Sequence, residues 1–274
     1  MAEINEYYRP ETLDEALALL QRPGAVPLMG AWQPSPAGTA QTVVDLQSLS
    51  LAQLSAEGER LRLGAMVPLQ GIVSWPEAGP FLAAAAQREG PPTFRNAHTL
   101  GSLVASRQPL SYLLIALLAL DAEVEIQRPG TDLRVELDRF LDDPARWSEG
   151  GLVTEVSVPA LGAGGGTAIH QVARTPGDRP IVAVAVRIAR RAERCTAVRI
   201  ALAGVADRPV RAHRVEELLA RRELDPSALE EAAALVEGQL SPRSDFRGSR
   251  EYRRHLAGVL TRRALVEAWE NARG

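Results

Sequence analysis

The sequence predicts an α+β protein built from three subdomains. Its first 160 residues mix short strand patterns with short helical patterns, and the glycine-rich run ALGAGGGTA at 160–168 then interrupts regular structure. Beyond that run, three strand patterns are followed by three helical patterns, which favours an antiparallel sheet with helices packed on one face. We therefore place the subdomains at 1–55, 56–160 and 167–274.

The first subdomain opens with a helix whose start is marked by a capping box. Thr12 and Glu15 have the T-x-x-E spacing, and leucines then recur at helical spacing until a Pro-Gly pair ends the pattern. Apolar runs at 26–29 and 42–46 predict two strands. The loop between these strands, GAWQPSPAGTAQ, is rich in glycine, proline, alanine and serine.

The second subdomain is organised around the segment 95–126. A turn of small residues at 99–101 can turn backbone N–H groups toward a phosphate, because little side-chain bulk shields them. Ser111 can cap the helix that follows, and residues 113–120 are almost wholly apolar, so we expect that helix to be buried. Alternation at 123–126 then predicts a strand.

Composition excludes several classes of protein. With 274 residues and a net charge of −3, the chain has no basic field for nucleic acid, although arginine supplies every one of its 31 Lys-plus-Arg side chains. Cys195 is the only cysteine, so this chain alone has no disulfide, thiolate metal cage or iron–sulfur cluster. The polar start is unlike a secretory peptide, and the longest apolar run is too short to span a bilayer. We expect a cytoplasmic protein.

The sequence offers no catalytic triad, nucleophile or metal-ligand cluster. The histidines are far apart and have neither HxH nor HxxxH spacing, so we expect surface or capping roles for all of them. They are His98, His170, His213 and His255.

Five stretches carry distinctive motifs: YYRPETLDEALALL at 7–20, RNAHTLG at 95–101, LLALDAEV at 117–124, GLVTEVSVP at 151–159 and SDFRGSREYRRHLAGVLTRRAL at 244–265. These motifs, which extend along nearly the whole chain, resemble those of one family, the FAD-binding medium subunits of molybdenum hydroxylases, which include xanthine dehydrogenase and aerobic carbon monoxide dehydrogenase. The resemblance implies that the first two subdomains form an FAD-binding module of the vanillyl-alcohol-oxidase or PCMH type.

The same resemblance implies where the flavin would bind. Its diphosphate would face the loop at 28–33 and the turn at 99–103, while its isoalloxazine would lie near Leu152. The residues implied to contact FAD are Leu28, Met29, Gly30, Ala31, Trp32, Gln33, Thr99, Leu100, Gly101, Ser102, Leu103, Tyr112 and Leu152.

The function implied by the resemblance is that of an oxidoreductase subunit that is not catalytic on substrate alone. In this family a large molybdopterin-binding subunit hydroxylates the substrate and a small subunit carries 2Fe-2S clusters. The medium subunit holds FAD, which passes electrons to an external acceptor. Molybdopterin and iron–sulfur clusters would therefore belong to partner subunits only.

The flavin motifs also depart from the family pattern. Ala31 and Ser102 stand where second glycines are usual, and Trp32 stands where a small hydroxyl residue is usual. Leu103 replaces an amide side chain and Tyr112 replaces an aspartate, which would cost about 1–3 kcal/mol for each ligand atom left unpaired. The alternative function is therefore a scaffold or assembly protein that keeps the fold and has lost FAD, its tryptophan filling the pocket instead of stacking on a ring. A third interpretation is a small-molecule-binding protein that uses the vacated cleft.

Overall fold

The computed structural model describes residues 4–30, 41–161, 165–175 and 177–272. Within these ranges the chain forms three sheets and the helices that cover them. The strands are β1 (Ile4–Tyr8), β2 (Ala25–Leu28), β3 (Gln41–Asp45), β4 (Leu54–Glu57), β5 (Arg60–Gly64), β6 (Glu123–Arg128), β7 (Thr131–Glu136), β8 (Leu152–Pro159), β9 (Gly165–Val172), β10 (Val182–Arg191), β11 (Arg194–Ala203) and β12 (Val210–Arg211). The helices are α1 (Leu13–Leu20), α2 (Leu69–Ser74), α3 (Gly79–Gln87), α4 (Pro92–Ala97), α5 (Leu100–Ala105), α6 (Tyr112–Ala119), α7 (Leu137–Asp142), α8 (Pro144–Ser148), α9 (His213–Leu219), α10 (Pro226–Gln239) and α11 (Arg250–Asn271).

The first sheet is parallel and has the order β1-β3-β2. Helix α1 begins where the sequence predicts, because the Thr12 hydroxyl accepts the Glu15 amide at 3.3 Å. The two strands predicted at 26–29 and 42–46 are confirmed as β2 and β3, each displaced by one residue. Since parallel strands end at the same edge of a sheet, β2 delivers the chain to that edge at Met29.

The second sheet is antiparallel, with the order β4-β5-β8-β6-β7, and α5 and α7 lie against it. Helix α6 is confirmed as a buried helix, since none of its eight residues is more than 2% exposed. The Ser111 hydroxyl accepts the Leu114 amide at 3.0 Å and caps it. Strand β4 spans the boundary predicted at 55/56, and the division into 1–55, 56–160 and 167–274 remains a prediction.

The third sheet, β12-β11-β10-β9, is antiparallel, and α9 and α11 cover one face of it. This confirms the α+β class and the predicted helical layer. Gly166 in β9 permits the close packing, because a Cβ there would lie 1.9 Å from the carbonyl oxygen of Ala268 in α11. The opposite face packs against α6, through small side chains that belong to the core of the first two subdomains: Ala183, Ala185, Ala201 and Ala203. No helix in the described ranges is long and apolar enough to cross a membrane.

Candidate functional site

The two stretches predicted to face a flavin diphosphate meet at one place, although they are 70 residues apart in sequence. Gly30 forms an isolated antiparallel bridge with His98, and Thr99 donates its hydroxyl hydrogen to the carbonyl oxygen of Met29 at 2.5 Å. Gly30 has a φ of +106°, and a Cβ there would lie 2.7 Å from the carbonyl oxygen of Ala97. The position therefore requires glycine, because the positive φ and the nearby carbonyl both disfavour a side chain.

The stretch predicted as a turn at 99–103 is the start of helix α5, with Thr99 as its N-cap. Thr99 and Ser102 form a reciprocal capping box, in which the Ser102 amide donates to the threonine hydroxyl at 3.3 Å and the Thr99 amide donates to the serine hydroxyl at 3.2 Å. The sequence had suggested that amides here turn toward a phosphate. The amide of Ser102 is instead held by the cap.

The two amides that precede Ser102 are also bonded to protein acceptors. The amide of Leu100 donates to the carbonyl oxygen of Val67 at 2.9 Å, and the amide of Gly101 donates to that of Ala65 at 2.8 Å. These amides are therefore not free to bind a phosphate. The expectation fails because the loop before α2, far away in sequence, supplies the carbonyl groups that satisfy them.

The lack of a side chain at Gly101 serves packing. A Cβ there would lie 2.2 Å from Cε of Met29 and 2.9 Å from Cβ of Ala65. Leu100 and Leu103 point into the core of the first two subdomains, with 0% and 4% exposure. The stretch thus joins the end of β2 to the second subdomain.

The remaining predicted flavin contacts have mixed positions. Tyr112 is the first residue of α6 and is 2% exposed, and burial raises the pKa of its phenol to about 12. Leu152 begins β8, buried and opposite Gln127, while Leu28 ends β2. Three predicted contacts lie outside the described residues: Ala31, Trp32 and Gln33. All these flavin roles remain predictions.

An arginine that the sequence did not mark as functional borders the junction. Arg179, in the chain before β10, donates to Glu89 Oε2 at 2.9 Å, and its guanidinium lies 5.4 Å from the centroid of the Phe94 ring. Phe94 in turn stacks on His98, with ring centroids 3.7 Å apart and planes inclined by 17°. A continuous row of contacts therefore runs from Gly30 through two rings to a cation of the third subdomain.

Glu89 holds that cation in place. Its side chain is fully buried, and Oε1 accepts the Ser111 hydroxyl at 2.6 Å and the Leu113 amide at 2.8 Å. A buried carboxylate is stable only when it is paired and hydrogen-bonded, and the N-terminus of α6 adds favourable positive potential. No local signal could have revealed this pair, because Glu89 and Arg179 are 90 residues apart.

Arg95, which matches the family motif, has a structural role. It is 8% exposed and donates to Gln70 Oε1 at 2.9 Å, to the carbonyl oxygen of Gln87 at 3.1 Å and to that of Gly90 at 2.5 Å. These bonds fix α4 on the end of α3. They therefore position the rings of Phe94 and His98, which lie on either side of the arginine in sequence.

The histidines contact carboxylates or an aromatic ring. Three of them pair with a carboxylate: His170 with Glu267 at 2.6 Å, His213 with Asp138 at 2.7 Å, and His255 with Glu237 at 3.5 Å. Over the described ranges, no group of three or more His, Cys, Asp or Glu residues could hold a metal ion.

The junction has features that suit a flavin dinucleotide. At Gly30 the space that a Cβ would need is taken by the carbonyl oxygen of Ala97 and by Thr99, so the glycine lets the two segments approach closely. The row of His98, Phe94 and Arg179 adds aromatic faces and a positive charge beside it. A strand end, a glycine and a capped helix therefore meet at one junction of this α+β protein.

Two known families match the chain and together cover most of it. The FAD-binding domain of molybdopterin dehydrogenases matches residues 2–161, and the C-terminal domain of carbon monoxide dehydrogenase flavoproteins matches residues 167–268. The chain therefore belongs to the family of FAD-binding medium subunits of molybdenum hydroxylases.

Individual relatives agree with this assignment. The carbon monoxide dehydrogenase medium chain of Afipia carboxidovorans is 30% identical and the match covers 98% of each chain. The nicotine 6-hydroxylase medium subunit of Paenarthrobacter nicotinovorans is 33% identical over 82% of this chain and 81% of the relative. A solved structure of carbon monoxide dehydrogenase from Hydrogenophaga pseudoflava has a TM-score of 0.91, with 26% identity and 99% of each chain covered. The predicted family and fold are confirmed.

Proposed function

We propose that this chain is the FAD-holding, electron-transferring subunit of a cytoplasmic molybdopterin-dependent hydroxylase or dehydrogenase complex. Its partners are a large molybdopterin-binding subunit and a small 2Fe-2S subunit, and it passes electrons from the iron–sulfur clusters to an external acceptor. Relatives named as medium chains or medium subunits along nearly the whole length support this proposal.

The observation that carries the proposal is the junction of Gly30 with Thr99. The residues that would approach the diphosphate are Gly30, whose lack of a side chain lets the two segments meet, and Ser102, whose partly buried side chain caps the adjoining helix. Thr99 fixes the distance between the two segments through its bond to Met29. Bound FAD would supply the capacity to accept electrons and release them to an acceptor. The chain itself supplies the glycine junction, the aromatic row and the fixed cation Arg179.

The comparisons do not support the alternative of a scaffold that has lost FAD. Two of the replacements that suggested this alternative, Leu103 and Tyr112, are buried in the core, where they stabilise the fold. The amides at the start of α5 already donate to protein acceptors. Binding would thus depend on the Gly30 side of the junction more than on α5.

The test is the visible absorption of the full chain after incubation with excess FAD and desalting. We expect a retained flavin band in the native protein and its loss in Gly30→Ala, since a Cβ would collide with the carbonyl oxygen of Ala97. Gly58→Ala is the matched control, because Gly58 also has a positive φ, +59°, with nothing within 4 Å of an added Cβ. Thermal unfolding of each FAD-free variant shows whether it is folded. A native chain with no band and no FAD-dependent rise in Tm would contradict the proposal.

A further inference from the structure

The third subdomain has a hydrophobic core of its own. Because successive side chains of a strand point to opposite faces, β10 and β11 each contribute to two different surfaces. On the face covered by helices they place large side chains in a core that is separate from that of the first two subdomains, among them Val182, Val184, Val186, Val198, Ile200 and Leu202. The chain passes between the two parts only once, between β8 and β9. The third subdomain therefore has the core and the connectivity of a separate folding unit.

Toward the second subdomain, β10 and β11 place only small apolar side chains in the shared core. The residues of these strands that pack there against α6 are all alanines: Ala183, Ala185, Ala201 and Ala203. The partly buried Ile169 of β9 adds one larger side chain. Since a methyl group buries little apolar area, the hydrophobic contribution to this contact is small for its extent.

The ion pairs across the same boundary all have one polarity. Within the described ranges, each of them takes its carboxylate from the second subdomain and its basic group from the third. The carboxylates are those of Glu89, Asp121, Asp138 and Asp142, and the basic groups are those of Arg179, Arg187, Arg199, Arg208, Arg211 and His213. Such complementarity of two oppositely charged surfaces is typical of partners that dock on each other.

Water reaches most of these charges. The side chains of Asp121 and Asp142 are 32% and 61% exposed. A cavity of about 280 Å³ is lined by Asp121 and Arg199, and one of about 580 Å³ by Asp142 and Arg208. Because salt screens exposed charges, their contribution to docking falls as the ionic strength rises. The fully buried carboxylate of Glu89 is the exception.

We propose that the third subdomain undocks from the first two as a rigid unit, and that the complementary charges set how often it does so. Its sheet and core stay intact while the alanine face leaves α6. Undocking also separates Arg179 from Phe94, so the aromatic row beside the proposed flavin site is complete only in the docked state. The movement itself does not depend on bound FAD, and the FAD-free chain tests it.

Two positions on β11 distinguish undocking from unfolding. Cys195 is fully buried in the core of the third subdomain, whereas Ala201, also fully buried, lies in the core shared with α6. Undocking exposes a thiol introduced by Ala201→Cys, while Cys195 becomes exposed only when β11 itself unfolds. The full chain carrying Ala201→Cys is incubated with iodoacetamide, and peptide mass spectrometry follows each thiol. We expect labelling at position 201 to be faster than at Cys195 by about tenfold or more, since partial opening requires less free energy than unfolding.

Salt and charge removal test what holds the interface closed. Raising the NaCl concentration from about 0.05 M to about 0.5 M should speed labelling at position 201 about tenfold and leave Cys195 unchanged. Asp121→Asn, added to Ala201→Cys, should speed it similarly at low salt, because three arginines lose their shared partner. Asp132→Asn removes an exposed carboxylate of β7 and is the matched control, which should leave the rate unchanged.

Two further alanines control for the position of the thiol. Ala185 is paired with Ala201 on the neighbouring strand, so rigid undocking should label Ala185→Cys at a similar rate, and this variant replaces Ala201→Cys if that one does not fold. Ala264 of α11 is fully buried in the core of the third subdomain, and Ala264→Cys should be labelled as slowly as Cys195. The inference is overturned if positions 185 and 201 are labelled no faster than Cys195. It is also overturned if their fast labelling responds neither to salt nor to Asp121→Asn.

Discussion

Thr99 bonds to two segments through one oxygen atom: its hydroxyl donates to the carbonyl oxygen of Met29 at 2.5 Å and accepts the amide of Ser102 at 3.3 Å. Thr99 is only 5% exposed. Its hydroxyl group holds the end of β2 against the start of α5. Losing it would leave a buried carbonyl and a partly buried amide without their partner.

Thr99→Val should therefore lower the free energy of unfolding by about 2–3 kcal/mol, the sum of a lost cap and an unsatisfied buried carbonyl. Thr99→Ser keeps the hydroxyl and should cost under about 1 kcal/mol. Thr12→Val removes an exposed cap alone and should cost about 1 kcal/mol. Urea unfolding measures all three. If valine at 99 costs no more than valine at 12, the bond to Met29 contributes nothing.

Local sequence signals were sufficient to predict the elements that a few neighbouring residues stabilise. The capping box at Thr12 fixed the start of α1, and the apolar run after Ser111 fixed a buried α6. The resemblance also identified Gly30 and Thr99 as meeting points of one site, and the structure brings them together. Repeated alternation predicted three of the four strands of the third sheet, and the short β12 was not predicted.

Contacts between residues far apart in sequence determine the features that local sequence patterns did not predict. The stretch 99–103, predicted as a turn, is the start of helix α5 because Leu100 and Leu103 pack in the core. The carbonyl groups of residues 65 and 67 accept its first amides. Strand β4 is a short edge strand that exists through pairing with β5. Arg179 lies in a segment with loop-like composition, and only its partner Glu89, from another subdomain, makes it part of the site.

Glu89→Gln tests whether the buried pair positions Arg179. Glutamine keeps the shape but removes the charge, so the arginine loses its partner and the cap of α6 is weakened. We expect a loss of about 2–4 kcal/mol in the free energy of unfolding. Glu136→Gln, which removes one partner of an exposed ion pair, should cost under about 0.5 kcal/mol. Equal costs for the two variants would mean that Glu89 does not hold the arginine in solution.

Asp121 joins α6 to three strands of the third sheet, and Asp121→Asn tests this link. Its carboxylate accepts Arg199 at 2.7 and 2.8 Å and Arg211 at 2.9 Å, and Arg187 lies 3.8 Å away. Asparagine suits the φ of +54° at this position, so the variant removes charge without backbone strain. Three arginines then repel one another, and we expect a loss of about 2 kcal/mol. Thermal unfolding in low and high salt measures it, and salt should reduce the difference. A variant as stable as the native chain would show that the arginines do not depend on this carboxylate.

Cys195 should be inert toward thiol reagents in the folded protein. The side chain is fully buried, and burial raises the pKa of its thiol to about 11. At pH 8 only about one molecule in a thousand is then a thiolate, the reactive form. Labelling with a disulfide reagent should therefore be slow in buffer and rapid in denaturant. Fast stoichiometric labelling of the folded chain would contradict the burial of this strand.

Tyr112 should make the protein sensitive to alkali. Burial raises the pKa of its phenol from 10.0 to about 12, so the folded state favours the protonated form. The stabilisation is fully present below pH 10, where the unfolded chain also keeps its proton, and it is lost as the pH rises from 10 toward 12. Tyr112→Phe cannot ionise, and its free energy of unfolding should fall less steeply across that range. Tyr252→Phe, at a tyrosine that is 44% exposed, is the control for loss of a phenol. Urea unfolding at successive pH values measures the slopes, and equal slopes for Tyr112→Phe and the native chain would show that the phenol is already ionised or hydrated in the folded state.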